Sequence, residues 1–232
     1  MSAAAVWIVD LAVDPAQLDR CAGVLDETER DRAARFLRPA DRARYIASHA
    51  ALRLILPGPL DRDPAEIRLA TGAAGKPELA GSARGALDFN LSHSGQRALV
   101  GLAEAAAIGV DVELMRPIPD AVPIARAHFA TDETATLAAL PPDRVERAFF
   151  GLWTRKEAVV KALGTGLSLP LDRFSVTLPP APPRLLRIAG GGAWTLDSVD
   201  AGPDYAGTVA VRAAAATITH HTLAADWPNL LG

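Results

Sequence analysis

Ile108-Gly109-Val110-Asp111-Val112-Glu113 is the stretch on which the reading of this chain turns. Ile108, Val110 and Val112 alternate with Gly109, Asp111 and Glu113, the two-residue period of a strand, so both carboxylates project from one face. Adjacent carboxylates repel. Such a pair persists where the face is solvated, where a proton is shared, or where a hard cation sits between the oxygens. On a half-exposed strand a D-x-E pair is more often a wet sheet face than a cation site. Gly109 adds a second signal, because glycine inside a strand often marks the close approach of a ligand or another backbone.

Working outward, strand patterns are expected at Ala5–Leu11, Ile67–Thr71, Leu87–Leu91, Ala98–Leu102, Phe174–Leu178, Leu185–Ala189, Tyr205–Val211 and Thr217–Thr222. Helical patterns are expected over Pro15–Leu37, Asp41–Leu56 with Asp41 as N-cap, Ala121–Ala139 and Asp143–Leu163. Helices and strands mix without strict alternation, which argues for an α+β fold rather than a doubly wound parallel sheet. Helices followed by strands occur once on each side of residue 106, so two similar subdomains are expected, 1–106 and 107–232. The segment Pro179–Gly192 reads as turn and loop around a short strand.

Composition excludes several classes of function. Half of the 232 residues are hydrophobic, enough for a sizeable core, and a net charge of −3 offers no overall attraction for nucleic acid or an anionic membrane. Apolar runs fall short of the roughly 20 residues of a membrane span. A lone cysteine, Cys21, and the lack of a secretory pattern at the start lead us to expect a cytoplasmic protein.

Four further segments carry chemistry. In the helix Phe149–Lys161, Trp153, Glu157 and Lys161 fall on one face and Lys156 points elsewhere. An exposed Glu-to-Lys pair is the plain reading, but Trp153 on the same stripe implies partial burial, and buried charges need partners or a metal. Phe89-Asn90-Leu91-Ser92-His93-Ser94-Gly95 puts Ser92 and His93 at a strand end, where a ligand can meet them. Ala74-Gly75-Lys76-Pro77 is a turn carrying one cation. Seven arginines between Arg30 and Arg53 face Glu29, Asp31 and Asp41; Arg42, His49 and Arg53 can share a helix face suited to phosphate or an acidic partner, or form a solvated surface.

Taken in order, G-K-P, F-N-L-S-H-S, I-G-V-D-V-E and W-T-R-K-E-A-V-V-K-A-L-G-T-G-L-S-L-P, the chain resembles the Sfp-type 4′-phosphopantetheinyl transferases from about Glu29 to Val176. The resemblance implies a pseudo-twofold pair of α+β subdomains with the active site in the cleft between them. It implies an Mg2+-dependent transferase moving the phosphopantetheine arm of coenzyme A to a serine of an acyl or peptidyl carrier protein, with release of adenosine 3′,5′-bisphosphate. Carried over by position, Asp111, Glu113 and Glu157 become metal ligands, and Glu157, Lys161 and His93 the catalytic residues. Gly75, Lys76, Pro77, Ser92, His93 and Lys161 would meet coenzyme A, with Arg42, Arg44 and Arg53, alongside Arg32, as candidates for its phosphates. Glu29 stands where some relatives have lysine. A monomer is expected, with no nucleic-acid or membrane partner.

Overall fold

The computed structural model describes residues 2–62, 67–72 and 75–231. Strand β1 (Ser2–Asp10) leads to helices α1 (Pro15–Gly23), α2 (Glu27–Ala34), α3 (Pro39–Ile55) and the single turn α4 (Pro57–Leu60). A hairpin of β2 (Leu69–Thr71) and β3 (Pro77–Leu79) follows, then β4 (Asp88–Ser94) and β5 (Arg97–Ala103). The plan then repeats. Strand β6 (Ile108–Leu114) leads to α5 (Ala121–His128), α6 (Thr131–Ala138) and α7 (Pro142–Leu163). The pair β7 (Ser175–Val176) and β8 (Leu185–Arg187) comes next, then β9 (Thr195–Ser198), β10 (Tyr205–Val211) and β11 (Ala216–Thr222). In each half the opening strand pairs antiparallel with a later one whose other neighbour precedes it in the chain. The sheet orders are β11-β1-β5-β4 and β6-β10-β9. Strand β11 crosses to the first sheet and runs parallel to β1, Ser2 meeting Ala216. The fold is α+β.

Several expected boundaries move for identifiable reasons. The helix expected over 15–37 is two helices, because Asp26 caps a fresh start: its carboxylate accepts the Glu29 amide and Glu29 reaches back to the Asp26 amide, a capping box. The helix expected over 121–139 breaks at Phe129 and Ala130, whose backbone is extended, and Glu133 reaches back to the Ala130 amide. Asp41 is not an N-cap. Pro39 starts α3 one turn sooner, with Arg38 at the cap position, and Asp41 pairs with Arg44 instead (2.9 Å). Pro77, read as part of a turn, opens β3, and β9 was not anticipated. Ala74 lies outside the described residues.

Three apolar clusters fill the molecule. One lies between the first sheet and α1–α3, with Leu52, Phe89 and Trp227 at its centre. Another, holding Phe149, Phe174 and Leu152, packs α7 against its neighbours. The third, Val6, Leu99, Val110 and Val209 among others, is shared by both sheets and joins the halves.

The two sheets also meet along β4 and β6, which do not form a backbone ladder. Side chains of β4 take the place of carbonyls. The amides of Ile108, Val110 and Leu114 donate to Asp88 Oδ2 (2.8 Å), Asn90 Oδ1 (2.9 Å) and Ser94 Oγ (3.1 Å), a constant offset of 20 residues. Buried amides must be paired, and this arrangement pairs them without a backbone ladder.

Two substitutions test this frame. A Cβ on Gly109 would lie 2.1 Å from the Ala158 carbonyl oxygen and 2.4 Å from the Ala162 nitrogen, so the approaching backbone is that of α7. Gly109→Ala should lose about 3 kcal/mol in chemical denaturation. Asn90→Ala leaves the buried Val110 amide unpaired and should lose about 2 kcal/mol by the same measurement.

Candidate active site

Asp111 and Glu113 of β6 come together with Glu157 and Lys161 of α7. Lys161 Nζ lies 2.6 Å from Asp111 Oδ1 and donates to Ser92 Oγ (3.0 Å), while the Ser92 hydroxyl donates to the same carboxylate oxygen (2.9 Å). Asp111 is buried, and its Oδ2 has no hydrogen-bond partner. Ser94 donates to Glu113 Oε2 (2.8 Å) and accepts the Leu114 amide, so one hydroxyl sets both a site carboxylate and the backbone beneath it.

Burial and crowding act together on these acids. Loss of hydration raises the Asp111 carboxyl above the usual range, against the pull of Lys161 and Ser92. Glu113 is raised by burial, with Ser94 opposing and Asp111 reinforcing the shift. Glu157 is raised by burial and then by the charges of Asp111 and Glu113, against Lys161. Three carboxylates thus face one ammonium. That excess of negative charge, on hard oxygen donors with Asp111 Oδ2 unsatisfied, fits a cation such as Mg2+ in chemical character. Among the described residues, no three His, Cys, Asp or Glu side chains already stand together as a metal cluster.

His93 stands exposed on the other face of β4. Its imidazole is held below its ordinary value by desolvation and then by the influence of His49, Lys161 and Arg44 around it. Lys76 is turned inward, donating to Asp88 Oδ2 (2.7 Å) and the Ile108 carbonyl (3.1 Å), and so braces the first rung of the β4–β6 contact. Gly75 has φ +83°, the turn geometry that glycine supplies, and Pro77 follows it into β3. A cavity of about 580 Å3 opens beside Lys76, bounded by Arg84, Phe89, Ala106 and the end of α7 at Gly164.

The arginines divide. Arg42 is exposed; Arg44 bonds to Asp41 and has a buried Nε without a partner. Arg53 is engaged on three sides, by Asp26 (2.6 Å), Glu29 (2.6 Å) and the Ile67 carbonyl (3.4 Å). His49 Nδ1 lies 2.9 Å from the other Glu29 oxygen. Glu29 is therefore the centre of a buried cluster that draws Arg53 and His49 inward. Sequence reasoning missed Ser94, Asn90 and Asp88. Their signal was available: Asp88, Asn90 and Ser92 alternate with Phe89 and Leu91, and Ser94 continues the same two-residue period, which marks one polar face of a strand.

Comparison with known proteins gives one answer along the chain. Residues 107–210 match the family described as the 4′-phosphopantetheinyl transferase superfamily, and residues 13–105 match 4′-phosphopantetheinyl transferase, N-terminal. The chain is 36% identical over 192 residues to 4′-phosphopantetheinyl transferase HetI of Nostoc sp. (strain PCC 7120), covering 82% of this chain and 80% of HetI. It is 31% identical over 170 residues to 4′-phosphopantetheinyl transferase Sfp of Bacillus subtilis (strain 168), 73% of this chain and 74% of Sfp. With the slr0495 protein of Synechocystis sp. the match is 38% over 150 residues, 65% of this chain and 61% of that one.

The Glu29 cluster makes a prediction that does not depend on activity. Burial alone would raise Glu29, but the bonds from His49, the Asp26 amide and Arg53 outweigh it and lower its carboxyl below the ordinary value of 4.5. A lowered acid contributes stability that is fully present above its unfolded value and is lost as pH falls through the folded one. Arg53→Met should lose about 3 kcal/mol at neutral pH. In a pH series of urea melts, the gap between wild type and this variant should shrink below about pH 4.5.

Proposed function

This chain belongs to the 4′-phosphopantetheinyl transferase family, and from that premise we propose that it moves the phosphopantetheine arm of coenzyme A onto a serine of an acyl or peptidyl carrier protein. The observation that carries the reading to particular residues is the buried Asp111 with one oxygen on Lys161 and Ser92 and the other unbonded, beside Glu113 and Glu157. Such a site lacks positive charge and is set to receive it with a ligand.

In this reading Asp111, Glu113 and Glu157 hold Mg2+, which when bound supplies charge neutralisation to the pyrophosphate. The rest of the work belongs to the chain. The Lys161 ammonium, already fixed by Asp111 and Ser92, meets a pyrophosphate oxygen without reorganisation. His93, held largely neutral, donates a ring N–H to a phosphate, and an arriving dianion raises its basicity again. Glu157 accepts the proton of the carrier serine as that oxygen bonds to the β-phosphorus and the bond to adenosine 3′,5′-bisphosphate breaks. Arg42 and Arg44, with Arg32, are left to meet the donor's phosphates, while the turn at Gly75, Lys76 and Pro77 borders the nucleotide end. Arg53 acts through the Glu29 cluster rather than by direct contact.

The repeated connectivity supports two halves, 1–106 and 107–232, related by a pseudo-twofold axis with the site in the cleft between them. On the first half, Leu37 is 98% exposed beside Phe36, Arg35 and Arg38, an apolar point ringed by cations that suits an acidic carrier. Among the described residues no helix is long and apolar enough to cross a membrane. The reading has the chain acting as a monomer in the cytoplasm, without nucleic-acid or membrane partners.

The test is the intact mass of an apo carrier protein incubated with this protein, coenzyme A and Mg2+, with an EDTA control. A metal-dependent phosphopantetheine mass gain is expected, and its absence across acyl and peptidyl carriers would overturn the reading. Glu157→Gln should slow transfer by roughly a hundredfold or more, the usual worth of a positioned base. Near-normal turnover would remove Glu157 from both of its roles.

A further inference from the structure

Lys156 precedes the proposed base Glu157, yet it points away from the cleft and has no accessible surface. All three of its ammonium hydrogens have acceptors: Glu133 Oε2, the Leu171 carbonyl and the Phe174 carbonyl, each at 2.7 Å. The ammonium also lies 4.2 Å from the centre of the Phe174 ring. Glu133 is equally enclosed. Besides Lys156 it accepts the Ala130 amide that starts α6 (3.0 Å) and the Val176 amide of β7 (2.7 Å). One buried ion pair therefore ties together α6, α7 and the segment 171–176. Arg155 adds a second tie on the same side, donating to Thr177 and to the Ala181 carbonyl.

A buried ion pair is seldom retained for stability alone, since apolar residues of similar volume often serve as well or better. What directional bonds supply and an oily contact does not is a fixed angle. Consecutive helix residues lie about 100° apart, so a helix pinned at 156 has a set rotation, and that rotation decides where 157 and 161 point. Burial pushes the Lys156 ammonium down and the Glu133 carboxyl up, and each is partly drawn back by its partner. We infer that Lys156, locked to Glu133 and the 171–174 carbonyls, is a positioning residue that sets the rotation of α7 and thereby aims Glu157 and Lys161 into the cleft. The catalytic consequence rests on the proposed function; the rotational one does not.

The experiment uses the full chain in three forms: Lys156→Met, the double variant Lys156→Met with Glu133→Leu, and Leu52→Ala as a control that weakens the core of the other half. Each is measured for melting temperature, for kcat and KM of transfer to an apo carrier below all melting points, and for the 19F resonance of 5-fluorotryptophan at Trp153, assigned by Trp153→Phe. Trp153 packs against Phe129 and Phe149 one helical turn before Glu157 and reports the setting of α7. Lys156→Met should melt roughly 10 °C lower, because it leaves a buried carboxylate alone. The double variant should recover most of that loss, keep a kcat at least tenfold below wild type, and show a displaced Trp153 resonance. Leu52→Ala should melt lower with kcat and resonance unchanged. A double variant with wild-type kcat and an unmoved resonance would overturn the inference, as would a Leu52→Ala protein with the same kcat deficit. Should wild type transfer to no carrier, the functional reading fails, and the resonance alone still decides the rotation of α7.

Discussion

Everything at the site depends on how the edges of β4 and β6 meet. Two edges bonded backbone to backbone would have made one continuous sheet. Here side-chain oxygens of Asp88, Asn90 and Ser94 satisfy the β6 amides. The same polar face of β4 places Ser92 on Asp111 and Ser94 on Glu113. Structural pairing and site assembly are thus performed by one alternating row of residues. Because Asp88, Asn90 and Ser94 of this row are held by backbone amides, the carboxylates beside them inherit its rigidity.

The opposite wall is a single helix whose charged residues divide by direction. Glu157 and Lys161 face the cleft, while Arg155 and Lys156 hold carbonyls behind it. Gly109 lets α7 lie against β6 at backbone contact, so the carboxylates of strand and helix approach one another without an intervening side chain. Burial weakens all three carboxyls as acids, and for Glu113 and Glu157 the neighbouring carboxylates add to the effect.

Much of this was legible in the sequence. The two-residue period at 108–113 and the spacing of 153, 157 and 161 placed the acidic face and the helix stripe, because both signals are local and periodic. The alternation in 205–211 gave β10 with its bounds intact. What escaped was non-local. Arg53 looked like a phosphate ligand on its helix face, and only the fold brings Asp26 and Glu29 against it. Lys156 was read only as pointing away from the Trp153, Glu157 and Lys161 stripe, since nothing near it in sequence announces that Glu133 closes over it. Helix breaks at 24–26 and 129–130 were hidden inside continuous apolar periodicity, where capping chemistry outvotes the pattern.

Strand β1 has two neighbours that arrive at very different times. Its antiparallel partner β5 is made within the first half of the chain, whereas β11 pairs with it only after Ala216 has been synthesised. Until then one edge of β1, built from Ala3, Ala4, Ala5 and Val6, offers unpaired amides and carbonyls in the half-made protein. The contact between the chain's first and last strands is the most distant in sequence of the whole sheet and carries the largest loop-closure penalty. A nascent chain stalled short of residue 216 therefore lacks both this partner strand and Trp227 of the first apolar cluster, and leaves an open, low-charge edge, the kind of surface at which chaperones act and misassembly begins.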